Sequence, residues 1–271
     1  MKNFFVPPIV LALALTMCLA AVSSVAASGM LKAFEHSNRR AIYWDFLRLD
    51  EEPPRNMNIS SGVHATAVVL PLNSRMNLFG QWTFSAIKYT DGKGDPNDFV
   101  GSPLIGVQLD GRGVNYWEIG CCLPLGSGGD DARSQGLVSD ALRMSSFADE
   151  HLSFSGMAHI GSDHGQTSTF WDLGMEVMVP VASDLETEVI FDYGFSGVSD
   201  LGGVSAFASL SGRYIPTRDG SVGDRTTHRL QVGLRSSGKL LGVGFRVILP
   251  IDEDYSRTVN FGYAFQMSAY P

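Results

Sequence analysis

Two adjoining stretches, Phe170-Trp-Asp-Leu-Gly-Met-Glu-Val-Met-Val-Pro-Val181 and Leu185-Glu-Thr-Glu-Val-Ile-Phe-Asp-Tyr-Gly-Phe195, decide the fold class. Sorted by parity, the first puts Trp171, Leu173, Met175, Val177, Val179 and Val181 on one side, with Phe170, Asp172, Gly174, Glu176 and Met178 on the other. The second repeats the split, with Leu185, Thr187, Val189, Phe191, Tyr193 and Phe195 against Glu186, Glu188, Ile190, Asp192 and Gly194. Side chains of a strand alternate between its faces, so both segments are strands with one apolar and one largely polar face. Recurrent carboxylates on the second face do not suit a packed sandwich core unless they are paired. They suit the wet inside of a barrel whose outside meets lipid.

The same alternation runs through the chain from Asn58. Ile59, Val63, Ala65, Ala67 and Val69 oppose Asn58, Ser60, His64 and Thr66, which puts the first set on the lipid side in this reading. Later strands set Met76, Leu78, Trp82, Phe84 and Ala86 against Asn77, Gln81, Thr83 and Ser85, and Trp117, Ile119 and Cys121 against Tyr116 and Glu118. Further pairs of faces follow over 99–109, 152–160, 204–213, 229–235, 243–249 and 259–266. Trp82, Phe84, Trp117, Trp171, Tyr193, Phe195, Tyr263 and Phe265 share the lipid-side parity, as aromatic girdles do. The long polar connections at 91–98, 126–150 and 217–224 fall on one end, and the turns at 73–75, 110–113 and 237–238 on the other. With Ala41–Leu49 as a first strand the count is twelve; that segment also admits a short helix with Ile42, Phe46 and Leu49 on one face, and ten strands is the alternative total.

The expected fold is all-β: a closed, antiparallel, up-and-down transmembrane β-barrel of about twelve strands. A soluble sandwich or lipocalin-like barrel would use the same alternation with the apolar faces turned inward. The strand number, the leader and the absence of a disulfide framework favour the membrane version.

Residues 1–27 read as a secretory signal, with Lys2, an apolar stretch from Phe4 to Val22 and the small-residue exit Val25-Ala26-Ala27. Residues 28–55 form an N-terminal segment that can supply the first strand, and 56–271 the barrel domain. Without the leader 19 bases face 28 acids, a net charge of −9 that excludes a nucleic-acid footprint. No later apolar run reaches the ~20 residues that a spanning helix needs. Only Cys121 and Cys122 follow the leader, and adjacent strand residues face opposite ways.

From Asn58 to Tyr270 the pattern resembles bacterial outer-membrane β-barrel proteins, broadly the porin-like kind. The resemblance implies residence in the outer membrane, contact with its lipid and delivery by the barrel-assembly machinery. Such proteins usually end in an aromatic residue; here Tyr263, Phe265 and Tyr270 come close, but Pro271 is last.

Function is expected to lie inside the wall. Glu118, Asp172, Glu176, Glu186, Glu188 and Asp192 come from middle strands, and Arg213, Arg229, Arg235 and Arg246 from later ones. Closure makes these neighbouring or facing walls of opposite sign, a recognised way to set pore selectivity. The expectation is a small porin-like channel for polar solutes, with Glu118, Glu176, Glu186, Glu188, Asp192, Arg213, Arg229 and Arg246 shaping the lumen and residues 126–150 as the gating loop. The same charges could instead pair and fill a plugged barrel without transport.

An enzymatic alternative rests on His151-Leu-Ser153, which puts an imidazole and a hydroxyl on one strand face. Outer-membrane acyl hydrolases, both the twelve-stranded phospholipase and the lipid A deacylase, carry a similar His-x-Ser. There the serine precedes Asn; here it precedes Phe154, and Glu176 or Asp172 would have to orient the imidazole. His36-Ser37-Asn38 lacks the spacer. His159 and His164 flank a probable turn rather than a metal site. Asp91–Asp98 lacks EF-hand spacing, and no cofactor motif is present.

Overall fold

The computed structural model describes residues 40–51, 59–89, 97–111, 114–139, 141–181, 185–217, 225–236, 238, 240–252 and 259–271. The leader, His36-Ser37-Asn38 and most of the 91–98 loop lie outside the described residues. Fourteen strands run in chain order: β1 (Ala41–Glu51), β2 (Ile59–Asn73), β3 (Met76–Tyr89), β4 (Asn97–Val100), β5 (Leu104–Asp110), β6 (Tyr116–Cys122), β7 (Ser127–Gly128), β8 (His151–Asp163), β9 (Thr167–Pro180), β10 (Glu188–Asp200), β11 (Val204–Tyr214), β12 (Thr226–Ser236), β13 (Leu241–Pro250) and β14 (Val259–Ala269). Between β7 and β8 lie helix α1 (Asp130–Ser139) and a 3-10 helix (Ala141–Phe147).

β4 and β5 both pair with β3 and form one wall strand interrupted at 101–103, while the two-residue β7 pairs with β4. The wall therefore has twelve antiparallel strands. It closes because β1 pairs with β2 on one side and with β14 on the other, from Ile42 opposite Ala269 to Phe46 opposite Phe265. Closure removes the edges that an open sheet would expose. Ala41–Glu51 is thus the first wall strand, and neither the helical option nor the ten-strand total holds.

One end of the barrel is stitched by tight turns. Asn73 Oδ1 accepts the Arg75 N–H at 2.8 Å, and Asp200 Oδ1 accepts the Gly202 N–H at 2.9 Å. Gly202 and Gly203 follow with φ of 83° and 103°, a conformation that L side chains rarely adopt. The longer connections all leave the other end.

The apolar parity faces outward. Trp171 is 59% exposed, Leu173 56% and Phe265 50%, while Asp172 and Glu118 on the opposite faces are 2% and 1% exposed. A continuous belt of large apolar side chains around the wall is far beyond what a water-soluble monomer shows. It matches a surface solvated by acyl chains.

β2 departs from the sequence expectation. Val63, Ala65, Ala67 and Val69 are buried inside, and Thr66 and Leu70 are exposed outside. Both faces of this strand carry apolar residues, so parity identifies two faces without telling which is which. The small alanines turn inward and pack with Tyr43, Phe79 and Leu104 of neighbouring strands.

Candidate functional site

The inserted segment is the connection 123–150. It folds back through the mouth and spans the barrel from the β1–β4 wall toward β9 and β10. Two acids, Asp130 and Asp131, stand in the first turn of α1, where the helix dipole favours negative charge. On the side formed by β1–β4 with β13 and β14, Ala132, Leu137 and Phe147 pack against Leu47, Val63, Ile87, Phe99, Ile248 and Ala264. A side chain at Gly136 would meet the Phe147 ring at 2.3 Å, so only glycine lets α1 lie on that ring. Polar contacts fix the position: Ser85 Oγ donates to the Ala132 carbonyl at 2.5 Å, and the Ala132 N–H donates to Asn97 Oδ1 at 2.9 Å. Where the wall strand breaks, the Ser102 N–H donates to the Ser146 carbonyl at 2.6 Å. Arg133 donates to Asp149 at 2.8 Å, which holds its guanidinium above its usual pKa. On the far side Met144 joins Met178, Ile190 and Ile215.

One carboxylate ties the segment to the wall. Asp45 Oδ2 on β1 accepts from Arg143 Nη2 of the 3-10 helix at 2.7 Å and from Arg246 Nη2 of β13 at 2.8 Å. Asp45 is fully buried, and removing its carboxylate would take from both buried guanidinium groups the anion that they share.

The opposite wall is ionic. Asp192 and Arg213 are register partners on β10 and β11, and Arg213 grips Asp192 with two bonds of 2.8 and 3.1 Å while its Nη2 lies 3.8 Å from Glu176 Oε2. Nearer the tight turns, His159 Nδ1 sits 2.6 Å from Asp172 Oδ1 and its Nε2 3.8 Å from Glu118 Oε2. Tyr116 stacks on this imidazole at 4.0 Å, and Gln108 Nε2 donates to Glu118 Oε1 at 2.8 Å. Fully buried charges are tolerated here because each is paired or hydrogen-bonded.

Of the residues expected in the lumen, Glu118, Glu176, Asp192, Arg213, Arg229 and Arg246 are buried inside the wall. Glu188 is half-buried at the first residue of β10. Glu186 is exposed in the connection ahead of β10, because that strand starts at Glu188 rather than Leu185. The acidic and basic sets do not form two separate walls throughout. Their boundary falls at the β10–β11 seam, where Asp192 and Arg213 neutralise each other. Asp45 and Arg143 were not singled out from sequence. Asp45 stands between Tyr43 and Leu47 on one face, the single acid of an otherwise apolar face, and that was the available signal. Nothing local marks Arg143.

His151 and Ser153 share an inward face, but Ser153 Oγ is buried with no hydrogen-bond partner, so the imidazole does not reach it and no dyad forms. His159 is bound to Asp172, while His164 lies exposed in the turn beside Ser162. Among the described residues no group of three or more potential metal ligands occurs. Cys121 and Cys122 are both free.

A recess lies beneath the inserted segment. Gln81, Leu104, Arg143, Ser145, Ser146, Ser155, Gly156, Met157, Met175, Glu176 and Asp192 line it.

The whole wall superposes on an outer-membrane channel from Pseudomonas putida F1 with a TM-score of 0.58, at 10% identity over 91% of this chain and 99% of that one. The fold is that of bacterial outer-membrane β-barrels. LpxR from Salmonella typhimurium gives a TM-score of 0.50 at 8% identity, over 85% of this chain and all of that one. The translocator domain of the autotransporter NalP from Neisseria meningitidis gives 0.51 at 10% identity, over 87% and 89%. No protein-family model and no curated protein matches the sequence. At such identities the wall is what these proteins share.

Proposed function

We propose that this protein resides in the outer membrane, exported by a cleaved leader at 1–27, and acts there as a narrow channel for small polar solutes. The inward-folded connection 123–150 is its gate. The observation that carries the reading is Asp45: one carboxylate holds both an arginine of the inserted segment and an arginine of the wall. A segment that served only as filler would need no such ionic tie, because its apolar contacts with β1–β4 already hold it. The ionic groups of β9–β11 support the same reading, since charged linings are what polar solutes meet in selective pores. Lipid contacts the outer belt, and the barrel-assembly machinery inserts the chain.

Reconstitution in planar bilayers tests this. The full chain is expected to give small conductance steps, and Asp45→Asn, which weakens the hold on Arg143, is expected to raise open probability. Silence over a wide voltage range from both proteins would identify a plugged barrel instead, the function that the paired interior charges would then serve. An assay of phospholipase and lipid A deacylase activity, run on the wild type and Ser153→Ala, is expected to show none in either.

A further inference from the structure

Two histidines on the outer face of the wall are surrounded differently. His228 on β12 is satisfied by the protein itself: its Nδ1 lies 2.6 Å from Asp252 Oδ1, and its Nε2 meets the Tyr193 hydroxyl. His64 on β2 has rings for neighbours instead. Its centroid lies 5.7 Å from that of Trp44, 4.8 Å from that of Phe46 and 6.0 Å from that of Phe84. No hydrogen bond joins its imidazole to another of the described residues. A polar group left unmatched on a lipid-facing surface costs free energy, so an imidazole there calls for a partner from outside the chain.

Two more donors stand beside it. Arg48 is the register partner of Tyr263 where β1 closes on β14, and it is the diagonal neighbour of His64, whose own partner is Phe46. Diagonal neighbours on one sheet face lie about 7–8 Å apart, within reach of a long side chain. Arg48, Tyr263 and His64 share the outward parity of Phe46 and Phe265, and all three are partly exposed. Among the described residues no carboxylate pairs with Arg48 and no acceptor engages the Tyr263 hydroxyl. All three residues stand in the halves of their strands nearer the long connections, towards Glu51, Val259 and Ile59. A guanidinium, a phenol and an imidazole thus form one patch of donors where the apolar belt meets that end of the barrel.

We propose that this patch holds the phosphate of a membrane lipid in the leaflet at the long-connection end. The Arg48 guanidinium forks onto the phosphate oxygens, the geometry in which arginine binds such groups best. The Tyr263 hydroxyl and an N–H of His64 donate to the same phosphate, and the acyl chains lie on Trp44, Phe46 and Phe84. The donors face the bilayer rather than a cavity, so their occupant comes from the membrane. A free phosphate ion would give up hydration without gaining the contact that acyl chains make with the rings. A neutral lipid would leave the guanidinium unmatched. The proposal needs only the lipid-facing belt, so it stands or falls independently of conduction.

Native mass spectrometry of the full chain in a neutral detergent tests the site. The probes are phosphatidic acid, diacylglycerol with the same acyl chains, and inorganic phosphate. Phosphatidic acid is expected to bind saturably and at least about tenfold more tightly than diacylglycerol, the size of one hydrogen bond to a charged group. Inorganic phosphate at the same concentration is expected not to displace it. Arg48→Gln is expected to weaken phosphatidic acid at least about tenfold. His64→Phe, which keeps a ring, and Tyr263→Phe, which removes one hydroxyl, are each expected to weaken it by a smaller factor. Arg40→Gln, an exposed arginine at the opposite end of β1, is expected to leave binding unchanged. Heat-modifiable gel mobility confirms that each variant remains a folded barrel. Equal binding of phosphatidic acid and diacylglycerol, or displacement by inorganic phosphate, would overturn the proposal. So would equal losses in the Arg48 and Arg40 variants, which would reveal a general charge effect. A response confined to Arg48, with His64→Phe and Tyr263→Phe both like wild type, would also overturn the three-donor site.

Discussion

The two inner walls of this barrel solve the problem of an enclosed interior in opposite ways. On the β1–β4 side the lining is Leu47, Val63, Ile87 and Phe99, and a helix of the same chain covers it. On the β8–β11 side the lining is His159, Asp172, Glu176, Asp192 and Arg213, and lateral ion pairs cover it. An apolar inner wall cannot face water without cost, so it needs an occupant. An ionic one can face water, and therefore is where a solute path can run. Alternation of side chains identifies a wall's outside only when its inside is polar, which is why β9 and β10 were assigned correctly and β2 was inverted.

The sharpest break of this contrast comes on the ionic side. Arg213→Met removes the two bonds to Asp192 and the contact with Glu176 and is expected to cost about 3–5 kcal/mol in urea unfolding from lipid vesicles, with part regained in Arg213→Met/Asp192→Leu. Full stability of the single variant would mean that water, not Arg213, compensates the acids. On the outer face of β9, Leu173→Arg places a charge near mid-membrane and is expected to cost about 2–4 kcal/mol; a neutral result would put that face in water. On the apolar side, Ala65→Phe overfills the space that Ala65 shares with Tyr43 and Phe79 and is expected to cost about 1–3 kcal/mol. If it were neutral or stabilising, β2 would have the parity first read from sequence. The smallest effect belongs to Thr66→Val, on the outer face of the same strand, where a change within about 0.5 kcal/mol is expected from the same measurement.

Much of the wall was legible from the chain alone. The alternation over 170–195 is local, and it identifies strands, their faces and their ends within a few residues. The polar length of the connections at 126–150 and 217–224 against the turns at 73–75 and 110–113 separated the two ends. The start of β10 was placed three residues early because Leu185 and Thr187 continue the alternation without joining the ladder, which left Glu186 on the surface. The lumen candidates Glu118, Glu176, Asp192, Arg213, Arg229 and Arg246 followed from parity alone.

The sequence by itself determined a wall of about twelve alternating two-faced strands and where its loops emerge, because period-two alternation and turn chemistry act between near neighbours. Only the tertiary structure decided what fills the wall. Asp45 meets Arg143 and Arg246 across 98 and 201 residues of chain. Those meetings depend on the closure of β1 against β14 and on a helix turning back into the mouth. Both are set by how many strands share the circumference and how much room small side chains leave, properties of the assembled barrel rather than of any segment within it.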